Sequence, residues 1–137
     1  MAERDKPAVV AREWIVKAEN DLKTAAHTLT LGDDCPTDTV CFHDQPCVEK
    51  YIKAALVVLE ISFPKTHDIG VLFELMPKHA RPPLAIEQQR RLTEYATAMR
   101  YPGPYDPVRL SEAKEAVKLA RRIRREVRTL LQDQPLF

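Results

Sequence analysis

Glycine is scarce, with three in 137 residues. Tight β-turns lean on glycine, so its scarcity argues against a sheet-rich fold. No apolar run reaches the ~18 residues that a membrane span needs. The first residues, MAERDKPAVVAREW, carry charges throughout and hold no uninterrupted hydrophobic stretch, so no secretory signal is expected. An excess of one charge is also missing: 21 basic residues against 20 acidic ones leave +1. There is therefore no global field to announce nucleic acid or a membrane as partner, and any such argument must rest on a local patch. The cysteines, Cys35, Cys41 and Cys47, are odd in number and crowd before or inside one predicted helix. Reduced thiols and a cytoplasmic location follow more naturally than a disulfide framework.

What is present is globular: 45% apolar and 30% charged residues in a length that suits one domain. The expectation is a single domain over 1–137, with its core over about 9–132. No internal repeat, low-complexity tract or domain boundary interrupts it.

Apolar spacing divides the chain into helices. Val10, Trp14, Ala18, Leu22, Ala25 and Leu29 recur every three or four residues and predict a first helix over Ala8–Leu31. Pro7 suits its first turn, and Gly32 suits the position just past its end. A second helix is expected over Asp38–Ile61 with Thr37 as N-cap. Its latter half, Tyr51 to Leu59, is apolar nearly all round, which belongs at the centre of a bundle. Pro46 costs roughly 3 kcal/mol inside a helix. Either the helix bends there, or it starts afresh with Asp44 as N-cap. A short third helix is expected over Asp68–Met76, a fourth over Leu84–Met99, and a fifth from Ser111 to Leu131. Three prolines and Gly103 in the stretch from Arg100 to Pro107 forbid helix between the last two. Short loops between helices imply antiparallel neighbours, hence an all-α, up-and-down bundle of four to five helices.

Several pieces of the chain resemble one family. The segment from Val40 to Leu56, VCFHDQPCVEKYIKAAL, is similar to the core signature of HEPN domains, roughly "cFhaqQaaEKalKAlL". Thr66-His67-Asp68-Ile69 looks like the family's "tHdl" element, Tyr95 like its tyrosine near the end of helix 4, and Arg100-Tyr101-Pro102 like its "RYP" element. Ala18-Glu19-Asn20-Asp21-Leu22 matches the family's usual start. The likeness covers about Trp14 to Leu131, and its departures are Pro46 and the proline-rich segment after Arg100. It implies a helical bundle that dimerises, and a nucleotidyltransferase partner of the toxin–antitoxin kind. It also implies nucleotide or RNA binding, with no cofactor. Many family members are metal-independent ribonucleases marked by an Arg four to six residues before a His. No such pair exists here, which leaves catalysis open.

Candidate site residues can be weighed individually. Glu49 and Lys53 stand i, i+4 in the favourable acid-first order, with Gln45 one turn earlier. With Lys50 they form either the floor of a phosphate-binding cleft or an internal ion pair joined by Arg100, since unpaired buried charge is expensive. His67 suits general acid or base work, as does His43, while Asp68 suits a helix start. Either Arg100 and Tyr101 form a phosphate clamp at the cleft mouth, or Arg100 pairs Glu49 or caps helix 4. Cys41, His43 and Cys47 lack the further cluster a zinc site uses, and the two cysteines stand about 240° apart round a helix, so no metal is expected. Lys114, Lys118, Arg121, Arg122, Arg124, Arg125 and Arg128 make the fifth helix basic, either as an RNA-contacting face or as a solvated one. Three functions follow: a binding module with a nucleotidyltransferase, a ribonuclease with a non-standard site built on His67 or His43 with Arg100, or a purely structural bundle.

Overall fold

The computed structural model describes residues 6–97, 99, 101–103 and 106–132. Among the described residues five α-helices run in order: α1 over Lys6–Leu29, α2 over Thr37–Val58, α3 over Ile69–Leu75, α4 over Ile86–Ala96 and α5 over Leu110–Gln132. Short 3-10 turns follow α1 at Gly32–Asp34 and α3 at Lys78–Ala80. There is no strand among the described residues, and no described helix is long and apolar enough to cross a membrane. The all-α expectation holds.

α2 is the axis of the bundle. Thirteen of its residues are buried, and it packs against α1, α3, α4 and α5. Leu22 and Ala25 of α1, Ile69 and Leu72 of α3, Leu92 and Tyr95 of α4, and Ile123 and Val127 of α5 close one apolar cluster round Tyr51, Ile52 and Leu56. Burying side chains of that size contributes about 1.5–3 kcal/mol each. Several of them together outweigh the roughly 3 kcal/mol cost of an internal proline. This explains why Pro46 lies inside one continuous helix. Asp44 therefore does not restart α2 as an N-cap. It sits within the helix, fully buried, and neither carboxyl oxygen has a hydrogen-bond partner among the described residues.

The helix ends differ from expectation where contacts made by the folded chain override the local pattern. Thr37 is the first residue of α2 and caps nothing; its hydroxyl donates to the Val108 carbonyl at 2.7 Å, tying the segment before α5 to the start of α2. α2 stops at Val58, short of Ile61, because Glu60 turns into the left-handed region (φ 58°) and the Ile61 N–H donates back to the Leu56 carbonyl at 2.9 Å. α1 ends at Leu29 rather than Leu31, so Gly32 is not the residue just past it; its positive φ (64°) opens the following 3-10 turn. α4 ends at Ala96 rather than Met99, and Leu84 packs from before its start. On α1, Val10 is exposed while Ala8 and Ala11 are buried, so the apolar stripe begins on smaller residues than the pattern indicated.

Candidate functional site

Gln45, Glu49 and Lys53 repeat every four residues along α2, so they line one face of a helix that is otherwise wrapped in apolar side chains. A buried charge must be paired and hydrogen-bonded to be tolerated. Glu49 meets that demand with both oxygens. Oε1 accepts from Gln45 Nε2 at 3.0 Å and from His67 Nδ1 at 2.8 Å, and Oε2 accepts from Lys53 Nζ at 3.0 Å. Burial alone would raise the Glu49 pKa, but the donors from Gln45, His67 and Lys53 outweigh it and hold the carboxyl below its ordinary range. The Lys53 ammonium also lies 5.2 Å from the Trp14 ring centre and 5.8 Å from that of Phe63, a cation held between two aromatic faces.

The loop before α3 delivers His67 to this cluster. The Asp68 carboxylate accepts from the Val71 N–H at 3.2 Å and caps α3, while Gln45 Nε2 donates to the His67 carbonyl at 3.0 Å. The His67 backbone is fixed, yet its side chain is 68% exposed. An ionised carboxylate only accepts hydrogen bonds, so Nδ1 is the donor to Glu49 and Nε2 is left on the outer edge of the ring.

A second cluster sits beside the first. Asp21 of α1 accepts from Lys50 Nζ at 2.5 Å and lies 3.2 Å from His43 Nδ1. Trp14 and Asp21 are two turns apart on one face of α1, so both clusters lie along the same α1–α2 seam. The seam thus gathers Glu49, Lys53 and His67 in one group and His43 and Lys50 in the next. Asp68 acts in the cap of α3, and Tyr101 stands apart beyond α4, 67% exposed. Arg100 lies outside the described residues.

Sequence patterning did not reveal a third cluster. Glu19 of α1 accepts from the buried Tyr51 phenol, from Arg124 Nε at 2.7 Å and from Arg128 at 2.9 Å, so one carboxylate joins α1, α2 and α5. Burial pushes its pKa up, but the Tyr51, Arg128 and Arg124 donors prevail and lower it to about 2. The signal available was Glu19's place inside the Ala18–Leu22 element.

Asp44 is the opposite case: burial, with no hydrogen-bond partner among the described residues, pushes its pKa well up and favours the neutral acid. All three cysteines are buried and free, and burial raises the Cys41 thiol to about 12. No three His, Cys, Asp or Glu side chains among the described residues converge as metal ligands.

A helical bundle whose central helix carries a neutralised polar row defines a class, and comparison with known proteins supplies the family. The model for the HEPN domain matches residues 11–130, and the chain belongs to the HEPN domain family. Two solved structures share its fold. TT1696 from Thermus thermophilus is 28% identical with a TM-score of 0.73, over 87% of this chain and 96% of that one. ST0689, described as an archaeal HEPN homologue, is 26% identical with a TM-score of 0.69, over 88% and 97%. No curated protein matches the chain.

Proposed function

We propose that this chain is a binding and interaction module of the toxin–antitoxin kind. In this reading it is a homodimer that works with a small nucleotidyltransferase and takes the phosphate of a nucleotide or RNA along the α1–α2 seam. The observation that carries the reading is the Glu49–His67 pair. Lys53 is spent on Glu49 and covered by rings, so the group the seam offers outward is the His67 edge, with His43 and Lys50 in the adjoining cluster. Behind it, Glu49 fixes the ring's orientation. The absent Arg–His pair favours binding over cleavage, and exposed Val71 and Ile86 flanking a groove between α3 and α4 suit an interface between copies.

Purification of the tagged chain from its native host tests this. It should elute as a dimer and carry a nucleotidyltransferase or a bound nucleotide. A chain that elutes alone as a monomer, with neither, ends the proposal.

The same pair favours one other reading, a metal-independent ribonuclease with a non-standard site. A carboxylate that orients an imidazole is the arrangement of a general base. Incubation with structured RNA in chelator separates the two. Cleavage lost in His67→Ala and in Arg100→Ala supports the enzyme; no cleavage, or cleavage unchanged in both variants, rules that site out.

A further inference from the structure

The chain is nearly neutral, yet one groove is not. Between α1 and α5 lies a concavity of about 570 Å³ lined by Glu19, Lys23, Arg121, Arg124, Arg125 and Arg128 among others. Five cations face one carboxylate there, a formal +4 in a molecule whose net charge is +1, so the rest of the chain is net acidic. Glu19 is already engaged by Arg124, Arg128 and Tyr51. Lys23, Arg121 and Arg125 are exposed and have no ion-pair partner among the described residues. The helix dipole does not account for them. Its effect fades within the last turn, whereas Arg121 lies eleven residues, about three turns, before the end of α5 at Gln132.

The geometry points to this groove as a binding site for the phosphodiester backbone of a nucleic-acid strand, held without reading its sequence. Guanidinium forks match phosphate oxygens two at a time. Arg121, Arg124, Arg125 and Arg128 follow the i, i+3, i+4, i+7 pattern, one face of α5 extending about 10 Å along its axis. A strand winds round its axis, so neighbouring phosphates stand farther apart than their ~3.4 Å axial rise, and that face meets about two. Among the described residues no exposed aromatic ring lines the groove to stack a base, and Tyr51 turns its phenol inward to Glu19. The contact is therefore with the backbone. It uses none of the seam residues and stands or falls separately from them.

Fluorescence anisotropy with a labelled single-stranded RNA of mixed sequence, titrated between about 50 and 200 mM salt, tests it. The full chain should bind with affinity falling steeply with salt, and DNA of the same sequence should bind within a few-fold. Arg121→Glu/Arg125→Glu changes two exposed residues and should fold normally by circular dichroism. It should bind at least ten-fold more weakly. The neutral pair Arg121→Gln/Arg125→Gln should lower the log–log salt slope by about 1.4. Lys78→Glu/Arg109→Glu makes the same charge change at exposed residues outside both grooves and should bind within two-fold of the parent. His67→Ala removes the contribution of the seam alone, so strand binding that survives it and is lost in Arg121→Glu/Arg125→Glu belongs to the groove, and the reverse pattern belongs to the seam and overturns the inference. The inference is overturned if the parent chain ignores RNA and DNA, whether or not it binds anionic phosphatidylserine vesicles. It is equally overturned if both charge-reversal pairs weaken binding alike, or if Arg121→Glu/Arg125→Glu binds as the parent does.

Discussion

His67 Nδ1 stands 2.8 Å from Glu49 Oε1, joining an exposed imidazole to a carboxylate that is almost wholly buried. The two ends of that bond have unequal energetic weight. Glu49 and Lys53 are 5% and 8% exposed at their side chains, so removing one leaves the other charge buried and unpaired. Glu49→Ala should cost about 3–5 kcal/mol in chemical denaturation. His67→Ala removes only an exposed partner and should cost about 1 kcal/mol or less. Equal costs for the two would contradict the arrangement.

Asp44 should make stability fall as pH rises. Below its ordinary value of 3.8 the carboxyl is protonated in both folded and unfolded chains. Above it the unfolded chain releases the proton while burial makes the folded chain keep it, so the unfolded state gains until the folded carboxyl also ionises. Asp44→Asn mimics the neutral acid. Its Tm should match the parent near pH 4 and exceed it increasingly toward pH 8. A parent advantage that grows with pH would show that Asp44 has an ionic partner.

Glu19 acts in the reverse direction. Its pKa is lowered from 4.5 to about 2, so its contribution is complete above pH 4.5 and is lost as pH falls toward 2. Glu19→Gln should flatten the acid limb of the stability profile and cost about 2 kcal/mol at neutral pH, the size of charge-assisted hydrogen bonds. Urea midpoints collected from pH 2 to 7 would show it; an unchanged acid limb would place the acid-sensitive group elsewhere.

These residues also show what the sequence could and could not disclose. The buried row on α2 was legible because Gln45, Glu49 and Lys53 share one helix at four-residue spacing, and the apolar run beside them marked the central helix. The tie at Glu19 was not, because Arg124 and Arg128 lie 105 and 109 residues away and no local pattern spans that distance. Thr37 and Asp44 carry capping side chains, but the decision at each came from tertiary packing: a carbonyl before α5 for Thr37, and continuous burial of α2 for Asp44.

Glu60 should be improvable. It holds the left-handed φ of 58° that ends α2, a conformation costing a non-glycine residue about 1 kcal/mol. Glu60→Gly should raise stability by about 0.5 kcal/mol once the greater freedom of glycine in the unfolded chain is subtracted. Thermal unfolding would detect a loss instead if the Glu60 side chain held the turn.

The seam is tested most directly by following the four histidine ring signals by NMR while ATP is added. His67 should shift most, with His43 following, while His27 in the last turn of α1 and His79 in the 3-10 turn after α3 stay in place. Shifts at His27 or His79 with His67 unmoved, or no shift at any of the four, would contradict a phosphate site on the α1–α2 seam.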